Sequence, residues 1–212
     1  MENNNQCQTQ TSTQIVERYE QEVASSSLGC ANLWSFLALQ PSDSVLDLGC
    51  GQGQTAYKMA QRLDETGSVV GLDLTPAMIE EAKKKYIHPQ LEFKVGDMHN
   101  LPFMDRCFDV ITSNCVINHS LQKDKVYAEL FRVLKNGGYF LVGDVVSVDE
   151  LPKEVSQDPA KVAACWGGAI PENQLLQQIH SVGFKSVDIL SSRQYNKEGF
   201  ALCSIIMKGV KE

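Results

Sequence analysis

A glycine-rich turn between an apolar segment and a helical segment constrains the fold of this chain more than any other feature. The apolar segment Val45–Leu48 runs straight into Gly49, Gly51 and Gly53, and a helix-like pattern begins at once. This order is typical of a strand, a tight turn and a helix N-terminus. Because glycine has no side chain, a bulky ligand can approach the bare backbone of such a turn.

Two acidic residues accompany the turn. Asp47 lies within the apolar segment, and Asp73 ends a second apolar segment 20 residues after Gly53. A carboxylate in this second position can accept hydrogen bonds from both ribose hydroxyls of a nucleoside. The spacing differs from the G-x-G-x-x-G of dehydrogenases, because the third glycine arrives one residue early. A dinucleotide oxidoreductase and a turn that binds no ligand are the two alternatives.

Strand-like and helix-like patterns alternate along the chain. The patterns predict strands at 44–48, 68–72, 91–95, 108–113, 139–146, 184–190 and 200–208. They predict helices at 17–24, 31–39, 54–63, 123–134 and 171–182, and one more that begins at Pro76. Such alternation favours a parallel sheet covered on both faces. The last two strands lack a long crossover, so an antiparallel hairpin at one edge is expected.

Size and composition restrict the class of protein and its partners. We expect one domain at 15–212, preceded by a disordered lead-in at 1–14 that is rich in Asn, Gln and Thr. The net charge of −7 argues against nucleic acid as a partner. No apolar stretch has the length of a membrane span or the form of a secretory signal, so a cytoplasmic location is expected. The seven cysteines show no zinc-ligand spacing.

With its acidic residue before the glycines, the sequence resembles the class I S-adenosylmethionine-dependent methyltransferases. The resemblance implies an α/β fold: a Rossmann-like, doubly wound, seven-stranded and mostly parallel sheet with one antiparallel edge strand. It also implies S-adenosylmethionine as the cofactor. The implied contacts are Asp47 for the amino group, Gly49, Gly51 and Gly53 for the methionine part, Asp73 for the ribose, Leu74 beside the adenine, and Asp97 with the Met98 backbone for the adenine edge.

Later segments resemble one branch of that family, the arsenite methyltransferases, in a short form without their C-terminal domain. The matching segments read S-N-C-V-I-N at 113–118, D-V-V at 144–146 and C-W-G-G-A at 165–169. By this resemblance Cys115 and Cys165 bind trivalent arsenic, and Cys30 is the third redox partner, which can also complete the metalloid site. Asn114 is counted with the cofactor-binding residues, because the position after the fourth strand faces the transferred methyl group in this fold.

The chemistry of arsenic explains why cysteines suit this role. Trivalent arsenic is soft and prefers thiolates to oxygen ligands. It carries no proton to remove, so its methylation needs alignment of the reacting atoms and no general base. A thiol reductant is then an expected partner, beside the metalloid or other small-molecule substrate.

Two other functions compete with arsenite methylation. His119 can act as a general base, which favours a methyltransferase for another small molecule, such as a quinone or another metabolite. Selenium or tellurium species are further soft acceptors. The second alternative is a metalloid or redox sensor that binds the cofactor without turnover.

Overall fold

The computed structural model of this protein describes residues 12–18 and 31–212. The strands are β1 (Ser44–Leu48), β2 (Ser68–Asp73), β3 (Leu91–Val95), β4 (Phe108–Asn114), β5 (Leu134–Ser147), β6 (Ser186–Lys197) and β7 (Phe200–Val210). The helices are α1 (12–18), α2 (Gln54–Ala60), α3 (Pro76–Lys85), α4 (Lys123–Val133), α5 (Lys153–Ser156), α6 (Pro159–Ala163) and α7 (Glu172–Ser181). Short 3-10 turns lie at Leu33–Ser35, Ile117–His119 and Trp166–Gly168.

All seven strands form one sheet in the order β3-β2-β1-β4-β5-β7-β6. The pairings from β3 to β5 are parallel, and β7 runs antiparallel to both of its neighbours. The fold class predicted from the sequence is therefore confirmed. The reversed strand β7 lies between β5 and the edge strand β6. Glu198 and Gly199, which both have positive φ, form the tight two-residue turn that joins β6 to β7.

The sheet separates two apolar layers, because alternate side chains of each strand point to opposite faces. On one face, Leu46 and Ile111 pack in a cluster that includes α4 and α7 residues. On the other face, Val45 and Val110 pack with residues of α2 and α3. Each strand of the centre is thus apolar on both sides, which explains why the sequence shows continuous apolar runs there.

The chain reverses its direction of winding between β1 and β4. From β1 it moves outward to β2 and β3, and it then returns to add β4 on the other side of β1. The connections that leave the carboxyl ends of β1 and β4 therefore go to opposite faces and leave a crevice between them. A doubly wound sheet binds its ligand at this switch point.

The predicted helix at 31–39 is wrong, since the structure has only a 3-10 turn at Leu33–Ser35. Side chains from elsewhere take the backbone groups that a helix would use. Asn114 bonds to both the N–H and the C=O of Ala31. The hydroxyl of Tyr139 bonds to both the N–H and the C=O of Ala38. These contacts hold the segment against the sheet in a more open form.

The predicted disordered lead-in needs correction at 12–14, which are helical in the structure as part of α1. Ile15 is buried and anchors this helix, and the Arg18 guanidinium donates to the carbonyl of Ala163. Apolar burial therefore orders a stretch whose neighbouring sequence is polar. Residues 1–11 and 19–30 lie outside the described residues, and with them most of the predicted helix at 17–24.

The stretch at 149–169, for which the sequence shows no regular pattern, contains two short helices and a 3-10 turn. Asp158 caps α6, because its side chain accepts a hydrogen bond from the N–H of Ala160 at 2.9 Å. Pro159 stands at the first helical position, where a missing N–H costs nothing. Among the described residues, none of the helices has the length and apolar character that a bilayer crossing needs.

We predict that Phe184→Ala lowers the free energy of unfolding by about 3–5 kcal/mol, the usual loss for a large buried aromatic side chain. Phe184 is fully buried and makes edge-to-face contacts with Phe131 and Phe140, at centroid distances of 5.0 and 4.8 Å. Denaturant unfolding followed by circular dichroism measures the change. Ile87→Ala is the control, because Ile87 is 87% exposed and its loss is expected to change stability by no more than about 0.5 kcal/mol. Equal effects of the two substitutions would contradict this view of the core.

Candidate functional site

A cavity of about 450 Å³ opens at the carboxyl ends of the parallel strands, at the switch point of the sheet. The glycine turn after β1, the ends of β2 and β4 and the segment after β3 all line it. Most of the sequence-predicted cofactor residues line this cavity: Asp47, Gly49, Gly51, Asp73, Leu74, Asp97, Met98 and Asn114. Its size suits a nucleoside-containing ligand, since small-molecule pockets range over about 300–1,000 Å³.

The three glycines of the turn are needed for different reasons. All three have positive φ, a backbone conformation that other residues rarely adopt. A Cβ on Gly49 would lie 2.2 Å from a Val116 methyl group, and one on Gly53 would lie 2.4 Å from the Phe93 ring. A Cβ on Gly51 would meet nothing within 4 Å. The open space beside Gly51 belongs to the cavity, so its bare backbone faces that cavity.

Asp47 lines this cavity, and one of its carboxylate oxygens has no hydrogen-bond partner. The side chain is buried, and Oδ1 accepts a hydrogen bond from the Thr112 hydroxyl at 2.8 Å. Oδ2 is buried without a hydrogen-bond partner. Desolvation by burial raises the pKa of Asp47 from 3.8 to about 6. A buried acceptor without a partner is rare in folded proteins and fits the ammonium group of a bound ligand.

Asp73 closes the glycine turn and still has capacity to accept. Its Oδ2 accepts from the N–H of Gly51, and its Oδ1 accepts from the N–H of Thr75, both at 2.9 Å. A carboxylate has about four lone-pair positions, so two are left for a ligand such as a ribose diol. Asp73 thus orders the turn and can bind the ligand at the same time.

The segment after β3 contains a histidine that sequence reasoning assigned to an ordinary loop. The His99 side chain is only 10% exposed and lines the cavity. Its Nδ1 lies 2.6 Å from Asp97 Oδ1, and its Nε2 lies 2.7 Å from the hydroxyl of Ser120. Desolvation acts to raise the pKa of Asp97, but the hydrogen bonds from His99 outweigh it and hold that pKa below its usual value.

The two cysteines predicted to bind arsenic meet at the end of β4. The sulfurs of Cys115 and Cys165 and a carboxylate oxygen of Asp144 all lie within 4.8 Å of one another, and all three residues are buried. Two sulfurs bonded to one soft centre at about 2.3 Å each are at most about 4.6 Å apart. The two sulfurs, from residues 50 places apart in the sequence, therefore lie close to the separation that a shared ligand needs.

Both cysteines have a strained backbone conformation. Four non-glycine residues in the described part of the chain have positive φ, and Cys115 and Cys165 are two of them, at 59° and 74°. Such conformations cost about 1–3 kcal/mol each and persist where surrounding structure enforces them. The N–H of Cys115 donates to the carbonyl of Gly143 at 2.8 Å, which fixes it beside β5.

A buried hydrogen-bond network holds the segment of Cys165 against the end of β4. Asp144 accepts from the Cys165 thiol at 3.2 Å and from the N–H of Asn118 at 3.1 Å. The ammonium of Lys123 donates to the carbonyl of Gly168 at 2.6 Å. A Cβ on Gly168 would lie 1.8 Å from the carbonyl oxygen of Asn118, so only glycine permits this contact. The glycine pair in C-W-G-G-A therefore allows the cysteine segment to reach the site.

The oxidation states of the described cysteines differ. Cys115 is disulfide-bonded, whereas Cys50, Cys107, Cys165 and Cys203 are free thiols. Burial raises the pKa of the Cys165 thiol well above its ordinary value, and the nearby Asp144 adds to this effect. In this structure the Cys165 sulfur is therefore a free thiol, whereas the Cys115 sulfur has to be released from its disulfide before it can bind a ligand.

Cys30 lies outside the described residues, so its predicted role stays a prediction. The residue that follows it in the chain, Ala31, is held at the site. The Asn114 side chain accepts from the Ala31 N–H at 3.3 Å and donates to its carbonyl at 2.8 Å. Asn114, which the sequence analysis assigned to the cofactor, therefore also holds the backbone of Ala31 beside Cys115.

His119 lines the cavity, and its surroundings make it a weak base. It is buried, and its Nδ1 lies 3.1 Å from the carbonyl oxygen of Val162, so Nδ1 carries the proton in the neutral ring. Desolvation lowers the pKa of His119 to about 4. A general base is most effective when its pKa is near the working pH, so this environment does not favour that role.

Sequence reasoning missed Asp144 as a site residue, although it named the D-V-V segment. The signal was present in the sequence, because a charged residue inside an otherwise apolar, doubly buried strand needs a partner. His99 had no comparable signal, since a histidine in a loop is common. Both residues are recognised only when their neighbours in space are known.

Residues 39–197 match the family model described as "Methyltransferase domain". An arsenite methyltransferase of Halobacterium salinarum is 36% identical over 169 residues, which make up 78% of this chain and 43% of that protein. A demethylmenaquinone methyltransferase of Lactobacillus johnsonii is 32% identical over 135 residues, or 59% of this chain and 55% of that protein. The chain spans about half the length of the arsenite methyltransferases it matches.

A solved structure supports the same grouping. The crystal structure of an arsenic(III) S-adenosylmethionine methyltransferase from Chlamydomonas reinhardtii superposes with a TM-score of 0.76 at 31% identity, and the match covers 90% of this chain and 70% of that one. The glycine turn, the acidic residues at the ends of β1 and β2 and these matches agree. The chain therefore belongs to the S-adenosylmethionine-dependent methyltransferases, with S-adenosylmethionine as its cofactor, and within them it resembles the arsenite methyltransferases.

Proposed function

We propose that this chain transfers a methyl group from S-adenosylmethionine to trivalent arsenic, as arsenite or methylarsenite, held by Cys115 and Cys165. The observation that carries the proposal is the approach of the two sulfurs to within 4.8 Å of each other, beside the cavity that Cys115 lines. Cys115 is the residue that joins the two regions, because it also lines that cavity. A substrate on this sulfur is then next to the cofactor pocket.

The cofactor side of the cavity supplies binding and orientation. Asp47 offers its unpaired carboxylate oxygen to the cofactor ammonium, and Gly51 offers open backbone. Asp73 and Asp97 have lone pairs left for the ribose and the adenine amine. When bound, S-adenosylmethionine supplies a methyl group on a positively charged sulfur, which is a strong electrophile.

The metalloid side of the site supplies soft ligands in a dry environment. Thiolates bind trivalent arsenic in preference to oxygen ligands, by the logic that governs soft metal ions. Two thiolates leave the arsenic lone pair available as the nucleophile, so no general base is needed. The N–H of Cys115 donates to Gly143 and the Cys165 thiol donates to Asp144, which positions the two residues. Correct orientation can lower a barrier by about 7–11 kcal/mol in favourable cases. Cys30 is proposed as the third thiol.

A reductant is part of the proposal. Cys115 has to be released from its disulfide before it can bind the metalloid. A cytoplasmic location would meet this need, since its thiol systems keep most cysteines reduced. In the other direction, two thiols that form a disulfide release two electrons and two protons, and the two electrons can reduce pentavalent arsenic to the trivalent state.

The similarity to a demethylmenaquinone methyltransferase keeps a small carbon or oxygen acceptor as the second candidate. This function would need a base such as His119, whose pKa of about 4 gives it less support. Other soft acceptors, such as selenium and tellurium species, would use the two sulfurs as arsenic does. A sensor without turnover would bind both ligands but release no product.

We predict that arsenite stimulates the release of S-adenosylhomocysteine by the reduced chain, and that Cys115→Ser and Cys165→Ser each lower this release to the level seen without arsenite. Serine is a hard ligand that stays protonated, so it cannot replace the thiolate. Release is measured by chromatography with S-adenosylmethionine, arsenite and a thiol reductant present, and again without the reductant. Cofactor affinity is expected to change little.

Cys203→Ser is the matched control for these substitutions. Cys203 is another buried free cysteine, but it lies on β7 outside the triad of Cys115, Asp144 and Cys165. Its substitution should leave arsenite-dependent release intact. If Cys115→Ser instead methylates a carbon or oxygen acceptor as fast as the unaltered chain, the arsenic function is wrong. Tight arsenic binding without any release would identify a sensor.

We predict that Asp47→Asn weakens the binding of S-adenosylhomocysteine while stabilising the ligand-free fold. One pKa unit corresponds to about 1.4 kcal/mol. A rise of the Asp47 pKa from 3.8 to about 6 therefore means that burying the ionised carboxylate lowers the free energy of unfolding by up to about 3 kcal/mol. This cost is absent below pH 3.8 and complete above about pH 6. At pH 8 the substitution should therefore raise the free energy of unfolding, by about 1–3 kcal/mol.

Cofactor binding should have the opposite pH dependence, because only the ionised carboxylate attracts the cofactor ammonium. Affinity of the unaltered chain is expected to fall as the pH drops below about 6, and Asp47→Asn should remove this fall. Calorimetric titration with S-adenosylhomocysteine between pH 5 and 8 (about the range in which Asp47 titrates) measures it. Asp64→Asn is the control, since Asp64 is an exposed aspartate away from the cavity. A weaker fold with unchanged affinity would contradict the assignment.

A further inference from the structure

The buried carboxylate of Asp144 has no role in the proposed methyl transfer, although it completes a cluster of three potential ligands. Its Oδ1 lies 3.2 Å from the sulfur of Cys165, and both atoms lie within 4.8 Å of the sulfur of Cys115. Trivalent arsenic prefers soft ligands, so a carboxylate is the wrong third donor for it. Thiolates and carboxylates are instead both ligands of Zn²⁺, a divalent ion with a filled d shell.

We propose that, once Cys115 is reduced, Cys115, Cys165 and Asp144 form a two-sulfur, one-oxygen site for a soft divalent cation such as Zn²⁺ or Cd²⁺, and that this cation competes with the metalloid. The inference rests on the same two sulfurs as the proposed function, but it needs no methyl transfer. The site would keep one coordination position open toward the cofactor cavity, which Cys115 lines.

The distances suit such a cation. In a tetrahedral zinc site, bonds of about 2.3 Å to sulfur and 2.1 Å to oxygen separate sulfur from oxygen by about 3.6 Å and sulfur from sulfur by about 3.8 Å. The Cys165 sulfur and Asp144 oxygen are 3.2 Å apart, and no pair in the cluster exceeds 4.8 Å. Small rotations of side chains are therefore enough to enclose an ion.

The charges also suit a divalent cation. Two thiolates and a carboxylate carry three negative charges, so a dication leaves one negative charge in a buried place. The ammonium of Lys123 is buried nearby, close enough for the charges of Asp144 and Cys165 to act on it. It donates hydrogen bonds to the carbonyls of Ser120 and Gly168, so it balances the remaining charge without blocking a ligand atom.

The site is already supported by a second layer of contacts. Asp144 also accepts from the N–H groups of Asn118 and Val145, which fixes the orientation of the carboxylate. Supporting hydrogen bonds of this kind are typical of metal ligands in proteins. Backbone hydrogen bonds position the other two residues, from the N–H of Cys115 to Gly143 and from the N–H of Cys165 to Val162. Asp144 is thus held in place before any ion arrives, and the Cys115 sulfur becomes a donor once its disulfide is reduced.

The test titrates Cd²⁺ into the chain without cofactor, under exclusion of oxygen. A phosphine first reduces the disulfide, which takes up two electrons and two protons while the phosphine becomes its oxide. The expected result is one Cd²⁺ per chain, seen as a thiolate-to-cadmium absorption band in the ultraviolet and displaced by Zn²⁺. Cys165→Ser should abolish the band, and Cys203→Ser should leave it unchanged.

Asp144→Asn separates this cation site from the metalloid site. It should weaken Cd²⁺ binding by at least about tenfold, because loss of even a supporting partner costs about 10–100-fold in metal affinity. The amount of arsenic bound per chain, measured by dialysis and elemental analysis, should not change. Equal Cd²⁺ affinity of Asp144→Asn and the unaltered chain would overturn the inference.

Cadmium NMR of the unaltered chain keeps the test decisive if Asp144→Asn does not fold. A mixed sulfur and oxygen site resonates upfield of a site made of sulfur alone, so an all-sulfur signal would also overturn the inference. The outcomes for the two proposals are distinct. A chain that binds Cd²⁺ as described but shows no arsenite-dependent release contradicts only the proposed function, and the reverse pattern contradicts only the cation site.

Discussion

Parallel pairing on both sides of β1 is the constraint on which the rest of the molecule depends. Because β1 pairs in parallel with β2 and with β4, the carboxyl ends of all three strands meet at one edge of the sheet. The chain leaves these ends in opposite directions, and the crevice that opens there is the cavity proposed for the cofactor. The glycine turn, both acidic residues and Cys115 are brought together by this single arrangement, although they are far apart in the sequence.

The parts of the fold and site that were predictable are those with a local sequence signature. The turn after β1 needs glycine for its backbone angles, and Asp73 follows at a fixed distance, so both can be seen in a short window of sequence. Apolar runs place the central strands within a few residues of their observed bounds. By contrast, the helix expected at 31–39 does not form, because the side chains of Asn114 and Tyr139 take its backbone groups. Nothing in that segment itself reveals these distant partners.

The same limit applies to the proposed metalloid site. The resemblance to arsenite methyltransferases singled out Cys115 and Cys165, but their separation could be judged only in three dimensions. Asp144 could have been suspected as a charge within an apolar strand, yet its contact with Cys165 depends on the close approach of Gly168 to Asn118. The convergence is therefore a tertiary property, built from a glycine pair, a buried lysine and two strained cysteines.

Trp166 directly follows Cys165, stacks on Phe200 with ring centroids 6.0 Å apart, and lies beneath the ammonium of Lys161. The chain has only one other tryptophan, Trp34, which lines the cofactor cavity. Each half of the site thus carries its own intrinsic fluorophore. Replacing either indole by phenylalanine would leave a single optical reporter, so occupancy by nucleoside and by soft ion could be followed separately in real time, without labels.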